Sequence, residues 1–254
     1  MRIALLFCLA AYSVFAQQNP DQSLFEITTS YWPINTSGSI KANGTPVDLK
    51  SDLGVTQGQP TFFGKFVARP GRRNRIVVEG TPFYLSGSQN LSRSITYQGH
   101  TYFVNDHVTS TADMTYFYGG YQYDLISRPT GHFGLEAGGA YLSATGSITS
   151  QTANVTESKT ETIGLPLAGL EFRFFPVHRR IDVEINGEAR GMKFGSYGYY
   201  SQASVNAGIG YGPVLVEGGY RIVNFDIHTT NQSTIVNPQF TGPVVSLVLR
   251  IPKL

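Results

Sequence analysis

The stretch Ile181-Asp-Val-Glu-Ile-Asn-Gly-Glu-Ala-Arg190 alternates between apolar or small residues and polar or charged residues. Because successive side chains of a β-strand point to opposite faces, this period of two predicts a strand with one apolar and one charged face. A soluble sheet would bury the apolar face, whereas a transmembrane barrel would turn it to lipid and direct the charged face into its lumen. The stretch alone fits both architectures, so the rest of the chain must decide between them.

The composition of the chain favours the barrel. Charged residues make up 14% of the 254 residues, aromatic residues make up 13%, and there are 28 glycines. A soluble domain carries about 25% charged residues, and a membrane-spanning helix needs about 20 consecutive apolar residues. The mean hydropathy of −0.10 reflects the absence of such apolar runs beyond the N-terminus. The net charge of +2 is too mild to indicate a nucleic-acid partner.

The first sixteen residues predict a signal peptide. Arg2 precedes the apolar segment Ile3–Tyr12, and the small-residue rule places cleavage after Ala16. The alternative is a short buried helix. The only cysteine, Cys8, lies within this segment, so residues 17–254 contain no thiol and no disulfide framework. We expect residues 17–254 to form one barrel domain that is exported to the cell outer membrane.

Alternating segments recur along the chain and are joined by connections that are short and long in turn. Each segment is long enough to cross a bilayer as a tilted strand of about 9–11 residues. The predicted strands lie near residues 24–33, 59–69, 74–86, 111–126, 131–145, 161–175, 180–194, 199–211, 213–228 and 241–251. This pattern predicts an all-β, up-and-down antiparallel transmembrane barrel of about ten strands, with eight strands as the alternative. A soluble secreted β-sandwich is the third reading.

The longer connections are rich in Ser, Thr, Asn and Gln. They are predicted at residues 34–58, 87–110, 146–160 and 229–240. The stretch 87–110 has an alternation of its own, which predicts a hairpin that extends beyond the membrane. Outer-membrane barrels have short turns on the periplasmic side and long loops on the extracellular side, so these connections are expected to be extracellular.

If the acidic positions face the lumen, the inward face of the barrel is densely charged. Because an unpaired buried charge costs several kcal/mol, these residues are expected to form a paired network. The network is predicted to consist of Glu26, Lys65, Glu79, Asp124, Glu136, Glu171, Arg173, Asp182, Glu184, Glu188, Arg190, Glu217, Arg221 and Arg250. It reads either as a plug of salt bridges or as an ion path or binding site. We favour the plug, since eight to ten strands leave room mostly for side chains.

A second group of basic residues falls in the predicted short turns. It comprises Arg69, Arg72, Arg73, Arg75, Arg128, Arg179 and Arg180. The group reads either as a solvated rim or as a contact with anionic lipid head groups, which attract basic residues near a membrane surface by about 1 kcal/mol each.

Several stretches resemble a known class of proteins. They are Asp48–Gly54, Ala68–Arg75, Ser92–Tyr102, Tyr118–Leu125 and Gly218–Arg221. On these stretches the chain resembles bacterial outer-membrane β-barrel proteins, the broad class that includes OmpW-like and OmpA-type barrels. The resemblance implies outer-membrane lipid and the barrel assembly machinery as partners. The chain departs from the usual pattern by ending on Leu254 instead of an aromatic residue.

Candidate chemistry is sparse. Asp226 and His228 would share a face of a strand, and Asp106-His107 could act with Ser110. A loop histidine beside polar residues is more often solvated, and motifs that hold a metal are absent, so we predict no catalytic residue, no metal and no cofactor. The predicted function is that of a non-enzymatic, porin-like barrel with a structural, adhesive or small-solute passage role. The alternative is a barrel enzyme that acts on lipid or peptide at the extracellular rim.

Overall fold

The computed structural model describes residues 20–55, 59–178, 180–195, 198–228 and 234–252. The predicted signal peptide over residues 1–16 lies outside these residues. The strands are, in chain order, β1 (Ser23–Ala42), β2 (Val47–Asp48), β3 (Gln59–Ala68), β4 (Asn74–Asn90), β5 (Ile95–Tyr97), β6 (His100–Tyr102), β7 (His107–Arg128), β8 (Gly131–Ser150), β9 (Val155–His178), β10 (Asp182–Lys193), β11 (Gly198–Tyr211), β12 (Val214–His228) and β13 (Thr234–Pro252). A 3-10 helix, Pro20–Gln22, precedes β1.

Ten of these strands form one closed antiparallel barrel. Each long strand pairs with the next long strand along the chain, and β13 pairs with β1 from Phe25↔Ile251 to Ala42↔Thr234. The remaining three are short: β2 adds to the end of β1, and β5 and β6 form a separate hairpin. The predicted up-and-down barrel of about ten strands is therefore confirmed, and the alternative of eight strands is wrong.

The two faces of the wall are the reverse of those in a soluble sheet. Leu135 and Phe172 are 50% and 37% exposed on the outside, whereas Glu136 and Glu184 are 3% and 0% exposed on the inside. A β-sandwich would bury the first pair and expose the second. The alternative of a soluble sandwich is therefore wrong. Within the described parts of the chain, no helix is long and apolar enough to cross a membrane.

The two ends of the barrel differ in their connections. At the turn end, short links follow Ala68, Arg128, His178 and Tyr211, and the 3-10 helix lies at this end. At the loop end, connections follow Ala42, Asn90, Ser150, Lys193 and His228. We use the names turn end and loop end for these two ends below.

The strands rise farther toward the loop end than the sequence predicts. The stretch 146–160, predicted as a long loop, forms the ends of β8 and β9 and leaves only residues 151–154 as a connection. Its hydroxyl side chains pair across the strands, with Thr145 Oγ1 2.9 Å from Thr160 Oγ1 and Thr149 Oγ1 3.0 Å from Thr156 Oγ1. Threonine favours β-strands, and Thr–Thr pairs stabilise neighbouring strands without an alternation of apolar and polar residues. Parts of the predicted loops 34–58, 87–110 and 229–240 are also strand.

Two loop-end connections fold into the mouth of the barrel. The β5–β6 hairpin forms within the predicted stretch, but it does not extend away from the membrane. The hydroxyl groups of Tyr97 and Tyr102 donate to the carbonyls of Gly146 and Ile148 of β8, both at 3.1 Å. Its apolar side chains need burial, and the inner wall of the barrel provides it. The connection before β3 is anchored there as well by buried Leu49, Leu53 and Val55.

Candidate functional site in the barrel lumen

Strand β10 shows how the wall brings charge into the lumen. Its even-numbered residues point inward and its odd-numbered residues point outward, so that Glu184 and Arg190 are buried and Ile185 is exposed. The same alternation holds in the other wall strands. The structure places every residue of the predicted network on the inner face, and Lys65 and Asp182 keep the largest side-chain exposures of those in ion pairs, 15% and 11%.

The network is larger than the sequence predicts. We call it the lumen network, and it has ten carboxylates, seven Lys or Arg cations and one histidine within the described residues. Its members are Asp21, Glu26, Glu79, Asp124, Glu136, Glu171, Asp182, Glu184, Glu188, Glu217, Lys65, Arg69, Arg75, Arg173, Arg190, Arg221, Arg250 and His132.

Arg190 is the centre of the network. Its guanidinium contacts three carboxylates: Nη1 lies 2.7 Å from Glu79 Oε2, Nε lies 2.9 Å from Glu136 Oε2, and Nη2 lies 3.0 Å from Glu188 Oε2. The Arg190 guanidinium also lies over the ring of Tyr118, with its Cζ 4.5 Å from the ring centroid. One cation therefore ties together β4, β8 and β10, which lie around the lumen.

A second set of pairs lies nearer the turn end. Arg173 binds Glu26 through two hydrogen bonds of 2.6 and 2.7 Å, the bidentate geometry that guanidinium groups favour. Its Nε lies 3.0 Å from Glu184 Oε1, and Arg250 also binds Glu184. Through these pairs, Arg173 links strand β1 to β9 and β10 across the lumen.

The turn end is closed by residues that the sequence analysis assigned elsewhere or missed. Arg75 reaches Asp124 at 3.0 Å and Asp21 at 3.1 Å, and His132 Nδ1 lies 2.9 Å from Asp21 Oδ1. Arg69 Nη2 lies 3.2 Å from Asp124. The interpretation of Arg69 and Arg75 as members of an outer rim is therefore wrong, because both side chains point into the lumen.

The other basic residues of the turns behave as that interpretation expects. Arg72, Arg73, Arg128 and Arg180 are exposed. Arg179 lies outside the described residues. Strand parity could have separated the two groups, since Arg75 is four residues from Glu79 and therefore lies on the same face.

An aromatic layer covers the network on the side of the loop end. Phe83 stacks on Phe240 with ring centroids 4.5 Å apart, and Tyr116 stacks on Tyr200 at 5.5 Å. Phe225 joins the two stacks, 5.0 Å from Tyr200 and 6.1 Å from Phe240. We call these rings, with Trp32 and Phe63, the aromatic layer. It is linked to the charges below it by Arg221, whose guanidinium lies 4.3 Å from the Phe63 ring centroid.

A small cavity remains within the charged part of the lumen. It offers about 50 Å³ to the centres of water molecules, which is room for only a few of them. Its wall combines hydroxyl and amide side chains with four carboxylates and three cations. These charged residues are Glu26, Glu171, Glu188, Glu217, Lys65, Arg173 and Arg221. No group of three or more His, Cys, Asp or Glu side chains within the described residues is arranged to hold a metal ion.

The two candidate catalytic pairs lie away from the lumen. His228 Nε2 is 2.8 Å from Asp226 Oδ1, but both side chains lie on the outer face of β12, in register with exposed Tyr199 of β11. The second candidate does not assemble. His107 contacts Ser88 and Asn90 on the outer face, whereas the Ser110 hydroxyl points inward to the carbonyl of Leu53.

The mouth of the barrel holds one further ion pair. Arg93 Nε lies 3.1 Å from Asp52 Oδ1, which links the two connections that fold into the mouth. Burial raises the pKa of Asp52, but the hydrogen bonds and charge of Arg93 outweigh it and hold that pKa below its usual value. Burial also raises the pKa of Tyr97, to about 12, so its hydroxyl stays protonated and can donate to the wall.

Comparison with known proteins identifies the fold and nothing finer. No protein-family model matches the chain, and no curated protein matches it. Among solved structures, the outer membrane protease OmpT from Escherichia coli superposes with a TM-score of 0.52 at 13% identity, over 91% of this chain and 97% of that one. The translocator domain of the autotransporter NalP from Neisseria meningitidis matches with a TM-score of 0.44 at 12% identity, over 98% and 96%.

The likeness to the OmpT fold bears on the resemblance noted in the sequence. The predicted resemblance to outer-membrane β-barrels is confirmed at the level of the fold. The placement near OmpW-like or OmpA-type barrels is not tested and stays a prediction. At an identity this low, a shared fold does not indicate a shared activity. This chain has the fold of bacterial outer-membrane β-barrels.

Proposed function

We propose that this protein is an integral outer-membrane barrel with a structural or adhesive role and a lumen that does not conduct. The observation that carries the proposal is the double closure of the lumen, first by the lumen network and then by the aromatic layer. The cavity among the charged side chains offers only about 50 Å³ to the centres of water molecules.

The outer surface supports insertion in a bilayer. Ile27, Phe62, Leu135, Ile209 and Leu247 are all at least 40% exposed and share a belt around the wall. In water, such a continuous apolar surface would drive aggregation. In a bilayer the same surface replaces lipid-to-lipid contact, and a closed barrel leaves no unpaired strand edge in the hydrocarbon. The turn end would then face the periplasm and the loop end the exterior.

The contacts of Arg190 make passage through the resting lumen costly. A solute would have to separate Arg190 from Glu79, Glu136 and Glu188, all of which are buried or nearly so. Removing one partner from a buried ion pair costs about 3–5 kcal/mol, because the other charge is left without compensation. The structure therefore favours a plug over an open ion path, and supports small-solute passage less well.

Recording from planar lipid bilayers tests the proposal. Purified full-length protein is added to the bilayer, and its insertion is verified by heat-modifiable migration of the reconstituted sample. We expect no stepwise conductance from the wild type. A variant that removes the plug at its centre and above it, Arg190→Ala with Phe83→Ala, serves as the comparison and is expected to conduct. Stable single-channel steps from the wild type would refute a lumen that does not conduct.

A second candidate function is hydrolysis at the extracellular rim. It is favoured by the 2.8 Å contact between His228 and Asp226, since a carboxylate that orients an imidazole is a common general-base unit. Hydrolysis of peptide and lipid substrates is measured for wild type, His228→Ala and, as the control, His107→Ala. Activity that His228→Ala abolishes and His107→Ala keeps would establish this function in place of the first.

A further inference from the structure

The lumen network carries more negative than positive charge. Its ten carboxylates exceed its seven Lys and Arg cations, and with His132 also protonated two negative charges stay uncompensated among the described residues. Enclosed charge of one sign is costly in a medium of low dielectric constant. The excess must be neutralised by bound protons or by bound cations.

The excess concentrates at Glu217. Every other carboxylate of the network has a Lys, Arg or His nitrogen within 4 Å, and Glu217 has none among the described residues. The side chain is 7% exposed. Its Oε1 accepts a hydrogen bond of 2.5 Å from Asn186 Nδ2, which also donates to Glu184 Oε1 at 2.9 Å. A neutral amide thus stands where the other carboxylates have a cation.

Asn186 is fixed in this orientation and adds no positive charge. Its Oδ1 accepts a hydrogen bond of 3.0 Å from Asn206 Nδ2. The three cations that reach the same cavity are engaged elsewhere. Lys65 lies 2.7 Å from Glu188, Arg173 lies 2.6 Å from Glu26, and Arg221 binds Glu79. No side chain within the described residues is therefore free to neutralise Glu217.

The cavity wall next to Glu217 is built from neutral oxygen donors. Ser246 is the register partner of Glu217 on β13, and its Oγ lies 2.7 Å from Ser30 Oγ on β1. Ser204 and Asn206 of β11 line the same cavity. Hard cations bind carboxylate, hydroxyl and amide oxygens, and a cavity that admits a few waters allows an ion to keep part of its hydration.

The number of free carboxylates selects the charge of the ion. Divalent cations are usually held by more than one carboxylate. Three other carboxylates line the cavity, those of Glu26, Glu171 and Glu188, and each has a cation within 4 Å. Glu184, which shares the Asn186 amide with Glu217, is bound by both Arg173 and Arg250. Glu217 alone therefore offers one uncompensated negative charge, which suits a monovalent ion.

We propose that the cavity beside Glu217 binds a small monovalent cation such as Na⁺, held by the Glu217 carboxylate and by oxygens of Ser204, Asn206 and Ser246. The bound ion neutralises one of the two uncompensated negative charges of the lumen network and stabilises the plug. This site goes beyond the proposed function and does not depend on it. A barrel whose lumen conducts would contain the same carboxylate and the same oxygens.

Thermal unfolding of the full-length protein in detergent tests the site. Ionic strength is held constant while NaCl replaces N-methylglucamine chloride, whose cation is too large for the cavity. We expect the Tm of the wild type to rise with Na⁺, by about 3–6 °C for each tenfold increase above the dissociation constant. Glu217→Gln is expected to lose this rise. Asp113→Asn, which removes an exposed carboxylate on the outer wall, is the matched control and should keep it.

Two outcomes would overturn the proposal. A Tm that depends on pH but not on the identity of the cation would mean that a proton neutralises Glu217. An unchanged Na⁺ dependence in Glu217→Gln would place any cation elsewhere. If Glu217→Gln does not fold, Ser246→Ala removes one oxygen without changing charge and is expected to weaken the Na⁺ dependence. Crystals soaked in thallous salt give a direct check, with anomalous density expected beside Glu217 and its absence counting against the site.

Discussion

The charged and the aromatic parts of the lumen are built from the same strands, two inward positions apart. On β4 the inward face changes from Glu79 to Phe83, and on β12 it changes from Arg221 to Phe225. The outer face changes at the same height. On β12, Tyr220 and Ile222 flank Arg221 on the outside, whereas polar Asn224 and Asp226 flank Phe225.

This difference shows that each half of the barrel suits its own surroundings. Near the turn end the wall has an apolar outside and a charged inside, which fits lipid. Near the loop end the outside is polar and the inside is packed with rings and apolar loops, as in a soluble protein. The hydrophobic effect stabilises the loop-end half directly. The turn-end half depends on buried ion pairs, which avoid a large loss of stability only while every charge keeps its partner.

The comparison predicts the largest effect for a change at the centre of the lumen network. Arg190→Met would leave Glu79, Glu136 and Glu188 without their shared cation. We expect a loss of about 3–5 kcal/mol in the free energy of unfolding, because buried charges are left uncompensated. Urea unfolding in detergent measures it. Arg128→Met, at an exposed turn, should change stability by less than about 0.5 kcal/mol. Equal stabilities of the two variants would refute the account of the charged half.

A smaller effect is expected in the aromatic layer. Phe83→Leu keeps an apolar side chain of similar size but removes the stack on Phe240, and should cost about 1–1.5 kcal/mol. The same unfolding measurement applies, with the outward-facing Tyr84→Leu as the control. Because no charge is exposed, the loss should not change with salt. A loss as large as that of Arg190→Met would mean that the two halves do not differ in the way proposed.

The ion pair at the mouth predicts a pH effect. Because the pKa of Asp52 is lowered in the folded state, the pair stabilises the mouth above the unfolded value of about 3.9 and loses this contribution as the pH falls through the folded value. The protection of residues 47–55 against hydrogen exchange, corrected for the intrinsic exchange rate at each pH, should therefore fall as the pH drops from about 3.9 through the lower pKa of folded Asp52. Asp52→Asn should show fast exchange at neutral pH as well. Asp226→Asn is the control, and no pH response in the wild type would contradict this role.

The smallest effect is expected on the outer wall of the loop end. Thr149→Val removes the hydrogen bond to Thr156 but keeps a β-branched side chain on an exposed strand. Since water can replace the lost partner, the change in unfolding free energy should stay within about 0.5 kcal/mol. A loss above 1 kcal/mol would show that the hydroxyl pairs, and not the packed interior, hold this half together.

The sequence predicts the turn-end half better than the loop-end half. The alternation of Ile181–Arg190 is strong because one face meets lipid and the other meets charge. In Thr145–Thr160 the residues on both faces of the strands are mostly polar. The sequence therefore shows no apolar–polar alternation there and predicts a loop. Apolar residues of the loops, such as Leu53 and Ile95, give no hint in the sequence that they fold into the mouth.

Which charges pair could not be predicted at all. Glu79 and Arg190 are 111 residues apart, and their contact depends on the register of the strands that lie between them. Parity could have added Arg75 and His132 to the network, since they share faces with Glu79 and Glu136. Asp21 lies in a 3-10 helix before the first strand, where the period of two does not apply.

The orientation of the turn-end wall is tested most directly by spin labels on two neighbouring residues of β13. In a Cys8→Ser background, labels at Leu247→Cys and Ser246→Cys are compared in reconstituted bilayers. The account predicts that a label at 247 collides with oxygen dissolved in the lipid and not with a water-soluble nickel reagent, while a label at 246 is shielded from the lipid. A label at 246 that is open to lipid, with one at 247 shielded, would contradict a barrel that encloses its charges.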